Sequence, residues 1–217
     1  IFSQWKDSFR AAAKGHLYIL KHSLQLHLIS FCDAIRYIAF PVFSFHECPK
    51  STLTDIAAAN GHLEVVQWLY GVHHVECTVN GMNLAAAGGH LHVVQWLHDL
   101  SRQDKSLISS DSIPRPRKRL HSDEKKLCTE DAINWAAMNG HLEMVQWLHH
   151  NRNEGCTTNA MNYAARNGHL EMIQWLHHNR NERCTTNAMD FAARNGHLEV
   201  VQWLHHNRNE GCTTDAM

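Results

Sequence analysis

Apolar and polar residues follow one pattern that recurs along this 217-residue chain. The string Gly-His-Leu marks each recurrence, and three of the five gaps between its occurrences are 28 residues; it begins at Gly15, Gly61, Gly89, Gly140, Gly168 and Gly196. The units 140–167 and 168–195 are identical at 24 of 28 positions. Self-similarity of this kind predicts a tandem array of one supersecondary unit rather than a set of separate domains.

Each unit predicts two short helices joined by a tight turn. The first is predicted over 160–166, with Asn159 as its N-cap and Asn162 as a partner in a capping box. The equivalent N-cap residues are Thr52, Asn80, Asp131 and Asn187. The Asn-Gly pair ending at Gly168 is expected to stop this helix, because both residue types tolerate the left-handed conformation. The second helix is predicted over 169–178, with a wide apolar face.

The apolar face of the second helix is too wide for one helical pair to bury. Stacked neighbours can bury it, at about 10 Å per layer. The tryptophans, one in each unit, then lie above one another in successive layers and form a ladder. We predict that this ladder belongs to the hydrophobic core rather than forming a platform for nucleic-acid bases. Its members are Trp68, Trp96, Trp147, Trp175 and Trp203.

The segment Ala-Ala-Arg-Asn-Gly-His-Leu-Glu at 164–171, with Met172-Ile173 and Trp175-Leu176 after it, resembles the ankyrin repeat. The ankyrin period is about 33 residues, and the residues missing here fall between 179 and 186, where that family has its projecting hairpin. The resemblance implies an all-α, ankyrin-like solenoid of stacked helix-turn-helix units. Long projecting fingers are not expected.

The resemblance also implies a non-catalytic scaffold that binds another protein, whose identity the sequence does not give. The contact would be made by a concave surface, formed by the last turn of each first helix. In this chain we define the concave surface by Asn60, Met138, Asn139, Arg166, Asn167, Arg194 and Asn195. Its side chains change from apolar to basic along the array, so the partner is expected to offer an apolar patch followed by acidic groups.

The irregular gaps divide the chain into four segments. Degenerate repeats are predicted over 1–51, two repeats over 52–100, and three near-identical repeats with the start of another over 127–217. Between them, 101–126 is predicted to be a basic, disordered insertion. It carries a candidate nuclear-import signal at Arg115, Arg117, Lys118 and Arg119. An alternative function is therefore a nuclear or nucleic-acid-associated regulator that uses this loop.

The charge balance and the cysteine content limit the kinds of partner and the cellular compartments that are expected. Lys and Arg number 20 against 21 Asp and Glu, a formal net charge of -1, which argues against a nucleic-acid partner for the array. The apolar stretch 24–45 includes Asp33, Arg36 and Pro41, so no membrane span is expected. The 7 cysteines are an odd number with no stapled-domain spacing, which favours free thiols in the cytoplasm or nucleus.

The repeated His and Cys residues are the remaining candidate chemistry. Equivalent residues in stacked repeats would lie about 10 Å apart, whereas zinc ligands must lie within about 4 Å of each other, so no metal site or other cofactor is predicted. No catalytic motif occurs, and we predict that the protein is not an enzyme. Histidines at helix ends, such as His149 and His177, are expected to sit well with the negative end of the helix dipole. A pH- or metal-responsive array of the 20 histidines is the third hypothesis.

Overall fold

The computed structural model describes residues 10–18, 53–73, 76–106 and 127–214. Every regular element in these ranges is helical, which confirms the predicted all-α class. The helices are α1 Leu53–Ala59, α2 Leu63–His73, α3 Val79–Ala87, α4 Leu91–Ser106, α5 Asp131–Met138, α6 Leu142–Asn151, α7 Thr158–Arg166, α8 Leu170–Asn179, α9 Thr186–Arg194 and α10 Leu198–Asn207.

The helices form a linear stack of five pairs. The odd-numbered, inner helices pack on one another in chain order, and each outer helix packs on the inner helix of its own pair. Paired alanines allow the close approach of the inner helices, since Ala164 and Ala165 are completely buried and carry no bulk beyond Cβ. The inner helices approach one another more closely than the outer helices do.

The core lies between the inner and outer layers. In α7 and α8 it takes Met161, Met172, Ile173 and Leu176, each at most 2% exposed. Burying a side chain of this size contributes about 1.5–3 kcal/mol, and stacking repeats this contribution in every layer. Trp147, Trp175 and the other predicted ladder tryptophans are partly buried and pack against this core, as expected.

The turn between the two helices of a pair depends on a glycine. Gly140 has a φ of +76°, and a Cβ at that position would lie 2.7 Å from Cε1 of His169 in the next repeat. The His169 ring therefore occupies the space that the missing side chain leaves. The Asn-Gly pair that ends at Gly168 stops α7 as predicted: Asn167 caps the helix with a φ of -102°, and Gly168 takes the left-handed conformation with a φ of +77°.

The predicted N-caps of α3, α7 and α9 were wrong by two residues, and that of α5 by one, because Asp131 is the first helical residue and Glu130 is the N-cap. Helix α7 begins at Thr158, and its N-cap is Thr157, whose hydroxyl accepts from the Asn159 N–H at 3.2 Å. Thr78 and Thr185 cap α3 and α9 in the same way. The predicted cap asparagines lie inside the first turn, and Thr52 lies outside the described residues.

The predicted capping-box partner instead joins neighbouring repeats. Asn162 is 3% exposed, and its Oδ1 accepts from the Thr185 N–H at 3.1 Å while its Nδ2 donates to the Thr185 hydroxyl at 3.0 Å. Asn83, Asn134, Asp55 and Asp190 likewise accept from the backbone N–H of the equivalent threonine in their following repeat. One threonine thus caps its own helix and ties it to the preceding repeat.

The first six residues of the predicted insertion are helical rather than disordered. Helix α4 continues to Ser106, so residues 101–106 extend an outer helix. The rest of the predicted insertion, 107–126, lies outside the described residues, and so does the candidate import signal. Of the predicted degenerate segment, only 10–18 is described, where 10–13 are helical and Gly15 has the φ of +70° typical of these turns.

Candidate partner-binding surface

One face of each inner helix points away from the core. In α7, Asn159 and Arg166 are exposed, Tyr163 is partly exposed, and the positions between them are buried. The spacing is the i, i+3, i+4 neighbour relation of a helix, so these side chains form one stripe. Stacking places the equivalent stripes of successive repeats side by side on the concave surface.

The four asparagines of the concave surface hold helix ends. Asn139 donates its side-chain amide to the Ala87 carbonyl at 2.7 Å, and Asn167 donates to that of Met138 at 2.6 Å, so both cross a repeat boundary. Asn60 and Asn195 bond carbonyls within their own helices. Asn139 and Asn167 thus bond carbonyls in the last turn of the preceding inner helix, where helical partners run out. The carbonyls that Asn60 and Asn195 bond also accept the backbone N–H of the same asparagine.

Met138 lies at a junction of the stack. Its carbonyl accepts from Asn167 of the next repeat and also from Nε2 of His169 at 3.1 Å. Burial, opposed by this hydrogen bond, leaves the pKa of His169 below its usual value. The Met138 side chain is partly exposed beside these contacts.

The two predicted arginines are exposed at equivalent ends of α7 and α9. The Arg166 guanidinium lies over the Phe191 ring of the next repeat, with Cζ 5.9 Å from the ring centroid. A contact of this kind contributes roughly 0.5–1 kcal/mol at an exposed site. Arg166 is therefore oriented by the stack while remaining open to a partner.

The sequence analysis overlooked the residue three positions before each arginine. We define the aromatic row as Leu84, Trp135, Tyr163 and Phe191, all partly exposed on inner helices α3 to α9. The available signal was helical spacing, since a residue at i−3 from an exposed arginine shares its face. The repeat period alone did not separate these rings from the core tryptophans.

A column of histidine–arginine pairs lies at the ends of the outer helices. Arg180 Nη1 donates to Nδ1 of His149 at 3.1 Å, and the His149 ring meets Trp175 edge-on with centroids 5.3 Å apart. Arg208 repeats this arrangement with His177 at 3.1 Å. Because arginine only donates, each histidine nitrogen must carry its lone pair.

The expectation that these histidines favour protonation was wrong. Burial and then the adjacent arginine lower the pKa of His149, and burial followed by Arg208 lowers the pKa of His177. Burial likewise lowers the pKa of His98, whose Nδ1 lies 3.5 Å from Arg152.

The cysteines in the described residues, which include Cys128, Cys156 and Cys184 near these arginines, are free thiols. Burial raises the pKa of Cys128 to about 11 and also raises the pKa of Cys156 and Cys184. A nucleophilic or metal-binding cysteine needs a lowered pKa, so these thiols are in the opposite state. Each thiol packs against the core and lies beside an arginine of the following loop: Cys128 beside Arg152, Cys156 beside Arg180 and Cys184 beside Arg208.

The described residues contain neither a cluster of metal-ligand side chains nor a helix that could span a membrane. Over 10–18, 53–73, 76–106 and 127–214, no group of three His, Cys, Asp or Glu side chains lies close enough to hold a metal ion. Within the same ranges, no helix combines the length and the apolar character needed to cross a bilayer.

Stacked helical pairs with an exposed stripe on the inner layer define a helical-repeat protein of the kind that binds other proteins. The family described as "Ankyrin repeats (3 copies)" matches residues 118–215, and "Ankyrin repeats (many copies)" matches residues 54–98. The chain belongs to the ankyrin-repeat family, as the sequence resemblance predicted. A search of curated proteins finds no match.

Proposed function

We propose that the protein is a non-catalytic scaffold that binds a partner protein across its concave surface. Ankyrin repeats generally serve as protein-interaction modules. The observation that supports binding at the concave surface is that Arg166 and Arg194 are exposed at the same position of adjacent repeats. Arginine is among the residues most enriched at the energetic centres of interfaces.

The partner that fits this surface has an apolar patch followed by acidic groups. The last inner-helix position changes from partly exposed Ala59 and buried Ala87 through partly exposed Met138 to exposed Arg166 and Arg194. A guanidinium can bond a carboxylate with two parallel N–H donors, which fixes orientation as well as attraction. The gradient therefore also sets the direction in which the partner lies along the array.

The polar groups outside the concave surface support a structural rather than a catalytic assignment. The buried asparagines and aspartates bond threonines, His149 accepts from Arg180, and the thiol of Cys128 is held protonated. Catalytic acids, bases and nucleophiles instead require a pKa matched to proton transfer or attack.

We extend the proposal to location and to the undescribed segments. Free thiols support the cytoplasm or nucleus, and the basic cluster at 115–119 supports import. Changing Arg117, Lys118 and Arg119 to alanine should abolish nuclear accumulation of a fluorescently tagged chain. An unchanged distribution between nucleus and cytoplasm would remove the import proposal and leave the scaffold proposal untouched.

The scaffold proposal is tested by differential capture from cells. The intact chain, the Arg166→Ala, Arg194→Ala double variant and two single controls serve as baits, and bound proteins are compared by quantitative mass spectrometry. The controls are Gln174→Ala on outer helix α8 and Arg183→Ala, an exposed arginine in the loop before α9. A partner of the concave surface should be retained by both controls and lost by the double variant, whose binding should weaken by at least about 2 kcal/mol. Equal capture by all four baits would contradict the proposal.

A further inference from the structure

The aromatic row lies on the solvent side of the inner helices. Leu84, Trp135 and Phe191 are partly exposed and do not belong to the side chains that pack against the core in the described ranges. The tryptophans of the outer helices, such as Trp147 and Trp175, do pack against it. The described residues thus carry two sets of large aromatic side chains, one on the outer helices against the core and one on the inner helices with a partly exposed face.

The aromatic row and the arginines form one continuous strip. Tyr163 and Arg166 are neighbours on one helix face, and Arg166 extends to the Phe191 ring of the next repeat at 5.9 Å. Each of these layers therefore presents a flat apolar ring beside a cation. Aromatic rings and arginine together are typical of the centres of protein interfaces.

Charge on this strip has one sign over helices α7 and α9. The acidic residue of these two helices, Asp190, is 3% exposed and bonds Thr213 of the following repeat. Arg166 and Arg194 are exposed at the helix ends. An occupant must therefore bring carboxylates at the spacing of the layers.

The spacing between layers indicates which backbone conformation a bound partner segment would need. Packed helices lie about 8–10 Å apart, and three residues of a polyproline II helix advance about 9.3 Å and return to the same face. In a β-strand, residues on one face advance about 6.7 Å or 13 Å, which does not match. Aromatic-lined grooves also recognise polyproline II segments through their proline rings.

We propose that the concave surface binds an acidic, proline-containing segment in the polyproline II conformation, with a carboxylate at every third residue. Successive carboxylates pair with Arg166 and Arg194, and the intervening prolines pack on Tyr163 and Phe191. This inference rests on the proposed function, because it names the chemistry of the partner for the same surface.

The test uses fluorescence anisotropy of fluorescein-labelled synthetic peptides with the full chain. One peptide has four Glu-Pro-Pro units, and its control has four Glu-Pro-Pro-Pro units with the same charge and the same backbone preference. We expect the three-residue spacing to bind at least about ten-fold more tightly. Equal affinities, or tighter binding of a helical peptide with Glu at every seventh residue, would overturn the proposal.

Protein variants locate the peptide on the strip. Arg166→Ala with Arg194→Ala should weaken binding by at least about ten-fold, and Arg183→Ala by less than about two-fold. Tyr163→Leu with Phe191→Leu should weaken it by at least about three-fold. The leucine variants are expected to fold because Leu84 already occupies the equivalent position in α3. Binding that is insensitive to the leucine variants would overturn the role of the aromatic row.

The outcomes also separate this inference from the proposed function. If the arginine double variant loses its cellular partner but neither proline peptide binds, the scaffold function stands and the polyproline II inference is wrong. If the Glu-Pro-Pro peptide binds and the arginine double variant binds it equally well, the peptide lies elsewhere and the inference fails independently of cellular capture.

Discussion

Replacing Asn162 by alanine should destabilise the array, because one buried side chain supplies two bonds between repeats. Its Oδ1 and Nδ2 bond the Thr185 N–H and hydroxyl at 3.1 and 3.0 Å, and Asn162 is 3% exposed. A hydrogen bond contributes about 0.5–1.5 kcal/mol, so losing both should lower the free energy of unfolding by about 1–3 kcal/mol. The assay is urea unfolding followed by tryptophan fluorescence.

The matched control is Asn162→Asp, which we expect to retain most of the stability. Asp190 occupies the same position one repeat later, where it accepts from the Thr213 N–H at 2.8 Å and from the Thr213 hydroxyl at 2.7 Å. The threonine hydroxyl need only turn from acceptor to donor. An alanine variant within about 0.5 kcal/mol of the parent, or an aspartate variant as unstable as alanine, would refute the reasoning.

The remaining predictions concern the helix N-caps, the hydrophobic core and the pH dependence of stability. Thr157→Ala should lower the free energy of unfolding by about 0.5–2 kcal/mol and Asn159→Ala by much less, since only the threonine side chain caps α7; the reverse order in urea melts would restore the original cap assignment. Trp175→Ala should cost about 3 kcal/mol because the ring packs against the core, and a loss below about 1 kcal/mol would contradict that packing. Burial lowers the pKa of His149 in the folded state, so the unfolded chain binds more protons and the stability from this group is lost as pH falls below about 6.5. His149→Tyr, chosen because Tyr70 occupies the equivalent position of α2, should flatten the pH dependence of the melt between about pH 7 and 5, and an unchanged slope would exclude His149 as a contributor.

The sequence predicted the layers of the fold because the local pattern determines them. Paired alanines, the apolar face of α8 and the glycine at 168 act within one unit, and the 28-residue repetition shows that units must stack. The cap was misplaced because Thr157 and Asn159 are both good N-cap types, and composition does not show which of them has the extended backbone.

Contacts between repeats were not predictable from local patterns. The Asn162 and Thr185 partners lie 23 residues apart, and the His149 and Arg180 partners 31 residues apart. These pairs depend on how far one layer is offset from the next, which the period alone does not give. The constant 23-residue separation in four of the repeats was nevertheless a visible signal that the sequence analysis did not use.

Photo-crosslinking gives the most direct test that partner proteins bind the inner layer. A photoreactive amino acid is placed at Asn195, exposed on the concave surface, or at Gln202, exposed on outer helix α10. Both positions belong to the same repeat, so local stability and accessibility are matched. The concave-surface account predicts an adduct with the captured partner from position 195 and none from position 202. An adduct from position 202 alone would contradict it.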